Sequence, residues 1–189
     1  MQDSADSEAA VLEALSRNDR KGALTLLMGL YGKSLYNYCR HMLGDSTLAE
    51  DVHQTTFAQA YSDFGRYRGR SSLRNWLQGI ARHRCLDTLK MRRREGKHVE
   101  QTESPPDVAT DQPTVEEQLQ VGSIGKHLAG CLGRLDVDVR EAILLRFMEQ
   151  LSYEEMAQMT GVRAATLQMR VARAMKGLRQ CLEAAGVTP

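Results

Sequence analysis

Residues 64–94 read FGRYRGRSSLRNWLQGIARHRCLDTLKMRRR, and the reading of this stretch decides the fold. Gly65, Gly69, Ser71 and Ser72 make a loop, and Ser71 or Ser72 is placed to cap the helix that follows. On that helix Leu73, Trp76, Leu77, Ile80, Ala81, Cys85 and Leu89 recur at helical spacing and form one broad apolar face. Arg84 intrudes on the face and is expected to snorkel to its edge. Arg74, Arg82, Lys90, Arg92, Arg93 and Arg94 project elsewhere. Aromatic, amide and arginine groups on a loop and adjoining helix suit single-stranded nucleic acid, because phosphates need cations and unstacked bases need stacking or amide partners. Arginines on an amphipathic helix can also be no more than a solvated face. The one-sidedness of the charge here favours a polyanion.

Charge is segregated along the rest of the chain in the same sense. The formal net charge is only +1. Yet residues 66–97 carry eleven Lys and Arg against Asp87 and Glu95, and residues 163–179 carry five basic residues and no acid. Between them, residues 99–125 hold six acids and no Lys or Arg. Two basic blocks around an acidic stretch predict two contacts with a polyanion joined by a tether. With 189 residues, 42% hydrophobic and 26% charged, the chain has the composition of one or two small globular domains.

Upstream of residue 64 the pattern is helical. Residues 1–7 are expected to be disordered, residues 8–16 to turn Val11, Leu12 and Leu15 inward, and Asn18-Asp19 to form a turn. A long helix over residues 23–43 places Leu24, Leu27, Leu30, Tyr31, Leu35, Tyr38, Cys39 and Met42 toward a core, and Gly44 stops it. Thr47 and Glu50 have capping-box spacing for the next helix, which runs to about Asp63. Its inner face is Ala49, Val52, His53, Thr56, Phe57, Ala60 and Tyr61. Its outer face is Asp51, Gln54, Thr55 and Ala58, and it contains no Lys or Arg. That outer face reads as a protein-docking surface beside the basic helix.

Residues 95–113, with Pro105, Pro106 and Pro113 and several acids, read as a flexible linker. Helical pattern resumes near Thr114. Residues 137–148 are expected to bury Val139, Ile143, Leu144 and Phe147. Ser152-Tyr153-Glu154-Glu155 opens a short helix as a capping box, with Met156 and Tyr153 inward. A turn at Thr160-Gly161-Val162 leads to a helix over about 163–182, whose narrow inner stripe is Leu167, Val171, Ala174 and Leu178. Its opposite face shows Gln168, Met169, Ala172, Arg173, Lys176 and Arg179. This is a helix-turn-helix, whose second helix enters the DNA major groove. No stretch reads as a strand. The expectation is an all-α protein of two small helical domains, 8–94 and 114–185, joined by a flexible linker over 95–113, the second a helix-turn-helix.

Other chemistry finds little support. Cys39, Cys85, Cys131 and Cys181 form no CxxC pair, so a disulfide framework or zinc cluster is not expected, and buried thiols in a reducing cytoplasm are. His83 and Cys85, like Cys39 and His41, are two apart on helices and point to different faces. No phosphate loop or nucleophile motif appears, so neither an enzyme nor a cofactor or metal is expected. No signal core or membrane-spanning run is visible, which predicts a cytoplasmic protein with no membrane insertion of its own.

With both basic blocks read, the chain resembles bacterial RNA polymerase sigma factors of the extracytoplasmic-function group. The resemblance covers roughly residues 12–182. It rests on Gly44-Asp45 with residues 49–57 (AEDVHQTTF), on residues 64–77 and Ile80-Ala81-Arg82, and on residues 140–147 (REAILLRF), 151–157 (LSYEEMA) and 166–174 (TLQMRVARA). It implies that Asp51, Gln54, Thr55 and Ala58 dock on the β′ clamp helices of RNA polymerase core, with the β flap as a second contact. It implies that Tyr67, Arg68, Arg70, Ser71, Ser72, Asn75, Trp76 and Arg82 hold the melted minus-ten element of promoter DNA. Arg163, Thr166, Gln168, Met169, Arg170, Ala172, Arg173 and Lys176 would read the minus-thirty-five element as duplex, and an anti-sigma factor would hold the protein inactive. The chain departs from the group's usual pattern at His53 (valine), Thr55 (glutamate), Asp136 (proline) and Arg163-Ala164-Ala165 (Ser-Glu-Gly). A helix-turn-helix regulator acting without polymerase exchange is the rival reading, and it leaves residues 64–94 without a role.

Overall fold

The structure, a computed structural model, describes residues 2–96 and 115–187, with side chains over 7–96 and 124–187. Among the described residues every regular element is helical. The chain divides into two compact units, one of Met1–Cys39 and Thr47–His98, the other of Arg40–Ser46 and Val99–Pro189. The linker expected over residues 95–113 lies outside the described residues from 97 onward.

The first unit is built from α1 (Gln2–Ser16), α2 (Arg20–Leu43) up to Cys39, α3 (Ser46–Asp63) from Thr47 onward, a 3-10 turn (Phe64–Arg66) and α4 (Leu73–Arg94). Helix α1 begins at Gln2, well before the expected Glu8. Asp19 follows the Asn18 turn and its carboxylate accepts from Gly22 N at 2.9 Å, which caps the start of α2. The core is Val11, Leu27, Leu35, Tyr38, Phe57, Leu73, Leu77 and Ala81. Leu12 and Leu30, expected inside, are 44% and 37% exposed. They lie at the margins of stripes that Val11 and Leu27 already fill. On α3, Ala49, Val52, Thr56, Phe57 and Ala60 are buried as the spacing predicts. The helix starts at Ser46, so Thr47 lies inside its first turn rather than at the cap.

His53 fills the seam between α2 and α3. Its Nε2 lies 3.0 Å from Gly32 O, and its ring meets Tyr36 and Phe57 edge-on at 5.9 and 5.1 Å. Burial pushes its pKa below the ordinary histidine value, although the Gly32 carbonyl pulls the other way.

The second unit contains α5 (Val115–Gly133), α6 (Val137–Ile143), a π turn (Leu144–Met148), α7 (Tyr153–Thr160) and α8 (Ala164–Ala184). Helices α5, α6 and α7 all pack on α8. Arg140 is buried and its guanidinium donates to Leu132 O, Gly133 O and Leu135 O at 2.9, 2.7 and 3.2 Å. It thereby satisfies carbonyls left open at the end of α5. Two expectations need correction here. Phe147 is 54% exposed, because the π turn bonds Glu149 N to Leu144 O and slips the stripe by one residue. Leu145 and Leu151 take the inward places instead. Cys131 and Cys181 are disulfide-bonded, their Cα atoms 5.9 Å apart across a separation of 50 residues. Packing of α5 on α8, invisible in the spacing of the cysteines, creates that proximity. Cys39 and Cys85 are buried thiols as expected.

Candidate nucleic-acid interface

The interface is built from the start of α4 outward. Ser72 is the N-cap, and its Oγ accepts from Asn75 N at 3.1 Å. The buried face of α4 is Leu73, Leu77, Gln78, Ala81 and Cys85, with Trp76 and Ile80 half-buried beside it. Gln78 is the one inward residue that an apolar pattern does not reveal. Arg84 reaches the edge of the face as expected, donating to Gln59 Oε1 of α3 at 3.0 Å.

Ahead of the cap, the chain turns through the 3-10 segment and then Gly69, whose φ of 68° an L side chain rarely adopts. That turn folds Tyr67 back so that its hydroxyl donates to Ser71 O at 2.6 Å. The Tyr67 ring lies 5.3 Å from Trp76, Trp76 lies 6.0 Å from Phe64, and Phe64 lies 6.3 Å from Tyr61. Buried Phe64 anchors this aromatic row from below, while Tyr67 and Trp76 stay half exposed. Arg68, Arg70 and Ser71 are exposed around it, and Arg68 donates to Gly65 O at 2.9 Å. Asn75 and Arg82 are seven residues apart and so share one stripe of α4, about 10 Å along the axis. The result is an aromatic surface edged by arginines and the Asn75 amide, groups of the kind that can stack on and hydrogen-bond to unpaired bases.

On α3, Asp51, Gln54, Thr55 and Ala58 are all exposed, on the face opposite the buried one. Thr55 spends its hydroxyl on the helix itself, donating to Asp51 O at 2.8 Å.

In the second unit Ser152 and Glu155 form the complete capping box of α7. Gly161 ends α7 at φ 73°, a left-handed turn that needs glycine and that redirects the chain into α8. Helix α8 buries Leu167, Val171, Ala174 and Leu178. Arg163, Thr166, Gln168, Met169, Ala172, Arg173 and Lys176 are exposed. Arg170 departs from that group: it is half-buried and pairs with Asp138 of α6 at 3.1 Å. Nothing in the sequence pattern singles out Asp138 as its partner. Among the described residues no group of three or more His, Cys, Asp or Glu could hold a metal, and no helix is long and apolar enough to cross a membrane.

Comparison with known proteins bears on both units. The Sigma-70 region 2 family matches residues 27–95 and the Sigma-70 region 4 family matches residues 127–178. The chain is 31% identical over 183 residues to the ECF RNA polymerase sigma factor SigC of Mycobacterium tuberculosis, covering 92% of this chain and 91% of that one. It is 28% identical over 166 residues to the RNA polymerase sigma factor CarQ of Myxococcus xanthus, covering 88% and 92%. In fold it is similar to the sigma factor RpoE of Bartonella quintana, solved in complex with the anti-sigma factor NepR. There the TM-score is 0.70 at 24% identity, over 84% of this chain and 96% of that one.

Proposed function

The chain belongs to the extracytoplasmic-function (ECF) RNA polymerase sigma factors, and from that premise we propose how its surfaces divide the work of initiation. As a sigma factor it joins RNA polymerase and directs promoter-specific transcription; it is not itself an enzyme. The exposed face of α3, with Asp51, Gln54, Thr55 and Ala58, docks on the β′ clamp helices, and the second unit engages the β flap. The loop over residues 67–72, with Asn75, Trp76 and Arg82, holds the melted non-template strand of the minus-ten element. Helix α8 reads the minus-thirty-five element as duplex, Gln168 through its amide, Arg173 through a guanine or phosphate, Met169 and Ala172 through thymine methyls. Thr166 and Lys176, exposed on α8, and Arg163 at its N-cap meet the backbone. Arg170 contributes after release from Asp138 or serves to orient α8. An anti-sigma factor holds the chain inactive, as the similar RpoE is bound by the anti-sigma factor NepR; an inhibitor engaging both units covers polymerase and promoter surfaces together.

The observation that carries this reading is the Tyr67–Trp76 ring pair tied down at the start of α4 beside exposed arginines. Such a platform serves unpaired bases and has no use in a regulator that only reads duplex. The experiment is transcription from a promoter by polymerase core with and without the chain; the chain is required for it. Asp51→Arg should weaken core binding several-fold while leaving the fold intact, more at low salt than at high. Unchanged core affinity in the folded variant removes the α3 docking face.

A further inference from the structure

We propose that Glu8 is a positioning residue for strand capture, its carboxylate reaching from α1 to hold the first turn of α4. The inference rests on the reading of residues 67–76 as the strand-holding surface and assigns a residue that the motifs of that surface do not include. Glu8 Oε1 accepts from Arg74 N at 3.1 Å, across 66 positions of sequence, and from the Tyr31 hydroxyl at 2.6 Å.

A helix leaves its first backbone N–H groups without intrahelical partners. In α4 two of these donors are satisfied by different means. Ser72, adjacent in sequence, takes Asn75 N, and Glu8 takes Arg74 N. A carboxylate at this position also opposes the positive end of the helix dipole. Buried Tyr31 fixes the carboxylate from the other side, so the cap is held rather than floating. Asn75 and Trp76 are the third and fourth residues of this same turn, so fraying of the turn moves both. Tyr67 feels the same group: burial and then the Glu8 charge raise the pKa of its hydroxyl, which donates to Ser71 O. Glu8 is itself half-buried, and its negative charge does not suit contact with phosphates, so its action runs through the turn.

Trp76 is the single tryptophan of the chain, so its emission reports this turn alone. The test compares Glu8→Ala, which removes the acceptor, with Glu8→Gln, which keeps an acceptor oxygen, and with Tyr31→Phe, which frees the carboxylate. Three quantities are read: acrylamide quenching of Trp76 in the full chain, the melting temperature, and binding of a dye-labelled single-stranded oligonucleotide by holoenzyme. The oligonucleotide is one that the wild-type holoenzyme selects from a random pool. Glu8→Ala should raise Trp76 quenching and weaken oligonucleotide binding about fivefold, the scale of losing one helix cap. Glu8→Gln should stay within about twofold of wild type, the scale of losing a charge while keeping the cap, and Tyr31→Phe should fall between the two. A lower melting temperature with unchanged quenching and binding would make Glu8 merely structural and overturn the proposal. Equal impairment by Glu8→Ala and Glu8→Gln would overturn it as well, since the acceptor would then be irrelevant. If instead Trp76→Ala binds the oligonucleotide as wild type does, the strand-holding reading fails, while quenching still reports whether Glu8 holds the turn.

Discussion

The two surfaces proposed to meet promoter DNA are built in opposite ways. The loop that leads into α4 is tied at nearly every step: Tyr67 to Ser71, Arg68 to Gly65, Ser72 to Asn75, Glu8 to Arg74, and a row of rings beneath. On the outer face of α8 no hydrogen bond or ion pair among the described residues engages the side chains of Gln168, Arg173 or Lys176. On the proposed division of labour, the difference follows from the targets. An unpaired strand has no shape of its own, so the protein must supply a rigid surface to stack it on. A duplex already presents fixed base edges, so long side chains on a well-placed helix can settle onto them. Rigidity is therefore invested in the loop on one side, and in the placement of the whole helix on the other. The second unit shows that placement in the α5–α8 disulfide, the Arg140 cap and the Asp138–Arg170 pair.

This contrast can be broken or sharpened by experiment. The largest effect should come from cutting the link between α5 and α8. Closing a loop of this length stabilises a fold by about 2–4 kcal/mol through lost freedom of the unfolded chain. Reductant, or the Cys131→Ser/Cys181→Ser pair, should thus lower the melting of the second unit while leaving the first unchanged. Calorimetry with and without dithiothreitol checks this, and the double variant should be insensitive to reductant. Next, Trp76→Ala should cost about 1–3 kcal/mol of single-strand binding by holoenzyme, the worth of one stacked base. Arg173→Ala should cost a similar ~1–3 kcal/mol, but as discrimination at a single upstream base pair, measured by competition between promoter variants.

The smallest effect concerns His53. Its pKa is depressed in the folded protein, so the unfolded chain takes up the proton first as pH falls. Stability should therefore be full above the ordinary histidine value and decline as pH drops through it. His41 is shifted the same way by burial and then by Arg40, so the whole slope belongs to more than one group. The difference between wild type and His53→Val, in melting temperature against pH, isolates the His53 share. A flat difference would show that His53 titrates alike in both states.

Much of this arrangement was legible in the sequence, and what was not lies outside what residue spacing can carry. The span and cap of α4, the inner face of α3 and the capping box of α7 all depend on residues within a few positions of one another. Their periodicity and cap chemistry can be read directly. The π turn cannot, because one extra residue in a hydrogen-bonded ring leaves no compositional mark, and so helical spacing points Phe147 inward where the structure exposes it. Glu8 and Arg74, Cys131 and Cys181, and Asp138 and Arg170 are joined only by tertiary packing. Gln78 is buried on a face defined by apolar neighbours, which hides an amide from a search for hydrophobic spacing.

The measurement closest to the central claim crosses the two surfaces with two kinds of template. Holoenzymes carrying Trp76→Ala, Asn75→Ala or Arg173→Ala transcribe from a duplex promoter and from the same promoter opened as a mismatched bubble, each with a series of upstream sequences. Opening the strands in advance removes the melting cost, so the Trp76 and Asn75 defects should shrink on the bubble. Arg173→Ala should instead change which upstream sequence is preferred, equally on both templates, because it acts on paired bases. A bubble that rescues neither loop variant, together with an Arg173→Ala loss that is the same for every upstream sequence, would contradict the division of labour between the loop and α8.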